Sequence, residues 1–251
     1  MIDIHCHLEY MPDIIDEAKK KMNAVISSVA DLKDKDKAMK LREENPDFVY
    51  VSLGLHPHHA VEYSDEEIDN YIEFIRQNKE KIVAIGECGL DYKQVKEEDR
   101  ERSKEVFIRF IELAVQLKKP LVIHSRGEPG SNAVFDEIFG ILEKYELTVV
   151  LHCFSGNETQ LKEALDRGYY ISYATIICKS DKHKRLAKQT PLSNMLLETD
   201  SPWLHPTSNE LINRPWLIEE SAKVIAEIKQ LTPEEIIQQA DENSKKIFGI
   251  K

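Results

Sequence analysis

Eight apolar, β-rich runs alternate with helical patterns from one end of this 251-residue chain to the other, and that alternation leaves few folds open. The runs are IDIH (2–5), AVISSVA (24–30), FVYVSLG (48–54), IVAIGE (82–87), LVIHS (121–125), TVVLHC (148–153), YYISY (169–173) and MLLETD (195–200). Helical patterns fall near 13–22, 34–45, 64–79, 97–118, 131–145, 157–167, 179–189 and 216–229. A last one, over 232–248, opens on Thr232-Pro233-Glu234-Glu235, which supplies a cap, a first-turn proline and early acids. Strand-then-helix units of roughly 30 residues build parallel sheets. Eight such units suffice to close a barrel, whereas open doubly wound sheets use fewer. The expected fold is therefore α/β: a single (β/α)8 TIM-type barrel, regular or distorted, with an extra C-terminal helix, as one domain over 1–251. A hydrophobic share of 41% can fill such a core, and no Gly/Ser-rich linker interrupts the run.

Barrels of this kind carry their active sites at the C-terminal ends of the strands. The opening MIDIHCHLEY sets Asp3, His5 and His7 at alternate positions, which a regular strand would project from one face. His5 and His7 end the first run, Glu87 the fourth, His124 the fifth, His152 the sixth and Asp200 the eighth. Singly, a strand-end histidine is more often capped or solvated than a ligand. Six such residues converging on one rim are a donor set suited to two divalent ions sharing a bridging oxygen.

The motifs DIHCHL, GLHPH, GECGLDY, VIHSR, LHCFSG, ETDSPWL and the closing ENSKKIFGI occur in an order that resembles the TatD family of metal-dependent deoxyribonucleases, within the amidohydrolase-type barrels. The resemblance covers nearly the full length. It implies that His5, His7 and Asp200 hold one metal, that His124 and His152 hold the other, and that Glu87 bridges them. The ions would be Mg2+, Mn2+ or Zn2+. Glu87 and Asp200 would be the catalytic carboxylates, and the substrate would be DNA, single strands included, cleaved by an exonuclease of the 3'–5' type. Two departures concern the surroundings: His7-Leu8-Glu9 stands where the family often has H-L-D, and the segment DLKDKDKAMKLREENPD is short and highly charged.

Around this set, His56 sits after the third strand, where contact with substrate phosphate and structural capping are both open; His58 and His59 are weaker candidates. Arg126, two residues past His124, offers a fork of donors for a phosphate or for a neighbouring acid. Glu198 is a candidate to support a ligand from behind, or to form a buried ion pair. Asp91 and Tyr92 are expected to shape the loop after the fourth strand, and His183 and His205 to be solvated. Cys6, Cys88 and Cys153 each adjoin a candidate ligand, and strand alternation sends all three toward the helices as small buried thiols.

With 45 acidic against 34 basic residues, the formal charge is -11, which excludes a broad basic footprint on nucleic acid. A phosphate substrate stays open, because bound cations invert the local field. No Walker loop, G-x-G-x-x-G or G-x-S-x-G elbow is present. The start shows no signal-peptide pattern and no apolar run spans a membrane, so reduced thiols in the cytoplasm are expected, with no obligate protein partner. An esterase or deacylase acting on aminoacyl-tRNA or another carbonyl substrate is the alternative, since the same donors serve it. A histidinol-phosphatase-like barrel would need a late D-x-H in place of Asp200-Ser201-Pro202, and a non-catalytic barrel would have lost donors.

Overall fold

The computed structural model of the chain describes residues 1–128, 130, 131 and 133–251. Eight strands form one sheet in sequence order, every neighbouring pair parallel. They are β1 (Ile2–Cys6), β2 (Ala24–Val29), β3 (Val49–Leu53), β4 (Ala84–Asp91), β5 (Leu121–Arg126), β6 (Val149–Leu151), β7 (Tyr170–Tyr173) and β8 (Met195–Leu197). The ring is drawn together just past β8, where Asp200 N–H donates to the His5 carbonyl at 2.9 Å and His7 N–H donates to that of Ser201 at 2.8 Å.

Helices fill the crossovers: α1 (Ile15–Ala18), α2 (Lys35–Glu44), α3 (Pro57–Ala60), α4 (Asp65–Gln77), α5 (Arg100–Leu117), α6 (Ala133–Leu142), α7 (Glu158–Asp166), α8 (Asp181–Gln189), α9 (Ile218–Lys229) and α10 (Pro233–Phe248). Three of them begin on reciprocal capping boxes, Ser64 with Glu67, Asn157 with Gln160 and Thr232 with Glu235. The pattern over 13–22 shortens to a 3-10 turn and the single-turn α1, in which only Ile15 and Ala18 are buried. So short a helix depends on tertiary packing, and two side chains support one turn. The pattern over 131–145 yields α6, with residue 132 outside the described residues.

Two hydrophobic layers result. One lies between strands and helices and includes Val25, Val51, Ile85, Ile123, Leu151 and Leu197. The other fills the barrel's N-terminal end, where Ile2, Ile4, Ala24, Ala84, Val122, Val150 and Leu196 pack with Phe248 and Ile250 from the end of the chain. Asp241 of α10 secures that closure by accepting from Ile2 N–H at 2.7 Å and pairing with the Met1 amino group at 3.2 Å.

Two strands break strict alternation at the same height. On β1, Asp3 pairs with Val25 but Cys6 pairs with Ser27, so three steps oppose two. On β4, Ile85 pairs with Leu121 and Cys88 with Ile123, the same offset. Each bulge turns an extra residue inward. Asp3 consequently does not share a face with His5, contrary to the alternate spacing. Its carboxylate is fully buried and accepts from His5 N–H, Thr199 N–H and the Thr199 hydroxyl, tying β1 to the segment after β8.

Candidate metal centre

The β4 bulge delivers Glu87 to the middle of the barrel mouth, 4% exposed. Glycines make room for it. A Cβ on Gly54 would lie 2.5 Å from the Glu87 carbonyl oxygen, and Gly86 has φ +137°, a conformation that side chains rarely adopt. Four imidazoles surround the carboxylate. His124 Nδ1 lies 2.7 Å from Oε1, His152 Nε2 3.7 Å and His56 Nε2 3.9 Å from the same oxygen, while His5 Nε2 lies 3.3 Å from Oε2. Asp200, in the left-handed conformation (φ +56°) that aspartate tolerates, places Oδ1 3.4 Å from His7 Nε2 and 3.9 Å from His5 Nε2.

Donor atoms gather in three groups tight enough for one ion each: His5, His7 and Glu87; His5, His152 and Asp200; and His56, Glu87 and His124. All six residues expected at the rim are brought together. His56 joins them, and of the two roles the sequence leaves open for it the structure shows the capping one, its Nδ1 accepting from His58 N–H at the start of α3. His152 groups with His5 and Asp200 and stacks on His5 with ring centroids 3.6 Å apart. His58, His59 and Glu62 form a separate surface group.

Behind the ring stands a second set of acids. His7 Nδ1 faces Glu9 at 3.4 Å, His124 Nε2 faces Asp91 at 3.0 Å and His152 Nδ1 faces Glu198 at 2.9 Å. Each of these imidazoles thus turns one nitrogen into the site and the other to a carboxylate, the arrangement that orients metal-binding histidines and raises their basicity. Glu9 and Glu198 are fully buried and Asp91 nearly so. Glu9 also accepts from Ser27 at 2.7 Å, and Glu198 from Ser172 and from Cys153 N–H. Asp91 further accepts from the N–H groups of Lys93 and Gln94, shaping the loop as expected. The departure at His7-Leu8-Glu9 therefore keeps a carboxylate behind His7. Of these three supports sequence reading had flagged only Glu198; the other two are signalled by acids two residues past His7 and four past Glu87.

Burial opposes charge on every one of these groups, and the outcome depends on the partners. The Glu87 carboxyl is held well below its ordinary range because His152, His124 and His5 outweigh its burial. Asp200 is lowered likewise, chiefly by His7 and His152. Against its burial, His152 is pushed up to about 9 by Glu198 and Glu87. His7 and His124 also rise despite burial, through Asp200 and Glu9 and through Asp91 and Glu87. Burial and the neighbouring His124 depress His56 to about 3, while burial and His152 lower His5. Both ring nitrogens of His5 are buried without a hydrogen-bond partner among the described residues. Ionised carboxylates beside buried imidazole nitrogens that lack protein partners fit divalent cations, whose ligands are carboxylate and neutral imidazole.

Two expectations are corrected here. Cys153 does not face the helices: β6 ends at Leu151, alternation lapses, and the thiol residue turns (φ +43°) to line the mouth. Cys6 and Cys88 do lie in the outer layer. His183 is not solvated. It is buried on α8, held by Ser180, and lines the same cavity of about 320 Å³ as His124, His152, Asp200 and Arg126. The sequence signal was its place on the apolar face of α8, three residues before Leu186. His205 is half-buried, and Arg126 stands exposed at the end of β5.

A parallel eight-stranded barrel whose C-terminal mouth buries such a ring belongs among the metal-dependent hydrolase barrels. Residues 2–249 match the model of the TatD related DNase family, and the chain belongs to that family. It is 35% identical to the metal-dependent hydrolase MJ1582 of Methanocaldococcus jannaschii, over 98% of this chain and 96% of that protein. It is 33% identical to the deoxyribonuclease TATDN3 of Homo sapiens, over 99% and 94% respectively. Among solved structures, the TatD homologue YJJV from Escherichia coli K12 superposes with a TM-score of 0.88 at 26% identity, covering 100% of this chain and 98% of that one. No helix among the described residues is long and apolar enough to cross a membrane.

Proposed function

We propose that this chain is a two-metal deoxyribonuclease of one domain that removes nucleotides from DNA in the 3'–5' direction. The supporting observation is the place of Glu87, a carboxylate shared between the His5–His7 group and the His56–His124 group. On this reading His5, His7, Asp200, Glu87, His124 and His152 hold two divalent ions. When bound, these supply Lewis acidity that makes water nucleophilic at neutral pH and neutralises phosphoryl oxygens. Asp200 is kept ionised by His7 and His152 and is poised at the mouth to accept the water's proton. Glu9, Asp91 and Glu198 fix the ring orientations of His7, His124 and His152, so little reorganisation is needed when substrate arrives. Arg126 presents a guanidinium fork to non-reacting phosphate oxygens, and His56, beside His124 and Glu87, is the second substrate contact. Its four free cysteines fit a cytoplasmic setting.

The deciding experiment incubates metal-loaded protein with labelled single-stranded DNA, RNA and aminoacyl-tRNA in parallel. Stepwise shortening of DNA, abolished by chelator, is expected. Release of amino acid from tRNA with intact DNA would replace the nuclease reading by a deacylase.

A further inference from the structure

Among the described residues, one group of metal-ligating side chains lies away from the mouth: His58, His59 and Glu62, whose donor atoms all fall within 4.8 Å of one another. The stretch Pro57-His58-His59-Ala60 builds it. His56 caps the single-turn α3, Pro57 takes its first position, and Pro57 and Ala60 are its buried residues. Those two share one face at three-residue spacing, so His58 and His59 point outward, with side chains 51% and 26% exposed. The backbone turns once more beyond α3, where Glu62 N–H donates to the His59 carbonyl at 3.0 Å. Glu62 thereby falls on the same side as both histidines.

The two oxygens of Glu62 face different rings. Oε1 lies 3.8 Å from His58 Nε2, and Oε2 lies 2.8 Å from His59 Nδ1. The second contact is a hydrogen bond, but the first is too long for one. Around a tetrahedral ion with bonds of about 2.0–2.1 Å, neighbouring donors stand about 3.3 Å apart, midway between these two spacings. Beneath them lies Asp31, 1% exposed, with Oδ2 3.7 Å from the same His59 nitrogen. The Tyr63 hydroxyl donates to Asp31 at 2.5 Å, and Lys33 pairs with it from the solvent side, its own side chain 65% exposed. Asp31 thus adds a fixed negative charge under the group, and Lys33 is free to swing away from an arriving cation.

We propose that His58, His59 and Glu62 form an outer site for a further divalent ion, separate from the mouth and filled by Zn2+ in preference to Mg2+. Two imidazoles and one carboxylate suit zinc, whereas Mg2+ keeps its waters and favours oxygen ligands. His59 binds through Nδ1, so the single proton of its neutral ring moves to Nε2 and none is released. Three protein donors leave the fourth position to water. The ion fastens α3 to the segment behind it. His56, whose ring centroid is 6.3 Å from that of His59, stays with Glu87 and His124.

The site does not depend on the nuclease reading, and its test counts ions rather than products. The full chain is dialysed to equilibrium against stepped micromolar Zn2+ and its zinc measured by elemental analysis. Wild type is expected to hold one ion more than the double variant H58A/H59A, and E62Q and H58Q are each expected to lose that same ion, with the remaining ions retained. In Mg2+ alone all four proteins should bind equally and hydrolyse DNA equally. NMR of the histidine ring nitrogens should show zinc on Nε2 of His58 and Nδ1 of His59. Equal zinc counts in wild type and the double variant overturn the proposal. So does ligation through the opposite nitrogens, and so does a loss of hydrolysis in Mg2+ from H58A/H59A, which would place the ion in the mouth.

Discussion

At the N-terminal ends of the strands, Ile2, Ile4, Ala24, Ala84, Val122, Val150 and Leu196 pack against Phe248 and Ile250 with no ionisable group among them. At the other ends of the same strands, His5, His7, Glu87, His152, Glu9, Glu198 and Asp91 are almost as well buried. Burial stabilises the first region and costs the second, because each carboxylate and imidazole at the mouth loses solvation that only its partners restore. The difference teaches how one barrel divides its labour. The floor and outer layer supply the stability that lets the mouth hold charges close together.

The largest effect expected from this division is on turnover at the mouth. Glu87→Gln keeps the shape but turns one oxygen of the carboxylate that two donor groups share into an amide nitrogen, so hydrolysis should fall on the order of 10^3-fold or more. The chelated protein should melt lower as well, because His152, His124 and His5 lose the anion that offsets their burial, and calorimetric titration should show both metal affinities weakened together. A folded Glu87→Gln protein with two normal affinities and near-native activity would break the comparison at its centre.

Phe248→Ala tests the opposite end. It opens a cavity in the floor and should cost about 3–5 kcal/mol in denaturant unfolding, with kcat of the surviving folded fraction unchanged. A large loss of kcat there would mean that floor and mouth are mechanically coupled.

His183 sharpens the boundary between the two regions, since it is a buried imidazole at the mouth that has Ser180 but no carboxylate as partner among the described residues. Burial, reinforced by Lys182, lowers it to about 4 in the folded chain, against 6.5 for an ordinary histidine. The unfolded chain therefore takes up a proton first as pH drops. Stability is complete above about pH 6.5 and is lost as pH falls toward 4, by at most about 3 kcal/mol from this group. Melting curves of wild type and His183→Gln in chelator between pH 7.5 and 4.5 should converge as acid is added. Parallel curves would show that His183 is protonated in the fold.

Smallest is the effect of removing a supporting acid while leaving the ring. Asp91→Asn should weaken metal binding by roughly 10–100-fold, because His124 loses its anionic partner but keeps its place. Asp91→Ala should weaken it further and loosen the loop that Lys93 and Gln94 anchor. A loss in Asp91→Ala with none in Asp91→Asn, which keeps the oxygen that accepts from Lys93 and Gln94, would assign Asp91 to the loop alone.

The strand–helix alternation, the parallel sheet and the six rim residues were all legible in the chain, because hydrophobic period and strand-end polarity are local properties that folding preserves. The Thr cap, first-turn proline and early acids of Thr232-Pro233-Glu234-Glu235 likewise announce α10. What only the tertiary structure decided is phase and partnership. The two bulges shift β1 and β4 by one residue, which removes Asp3 from the face of His5 and delivers Glu87 between its histidines. The early ends of β6 and β8 turn Cys153 and Asp200 toward the mouth through left-handed backbone. Glu9, Asp91, Glu198 and His183 acquire their places from residues far away in sequence or in the next layer. An extra residue in a ladder costs nothing visible in a hydrophobic pattern, yet it redirects every side chain after it, and register is set by neighbouring strands rather than by the strand itself.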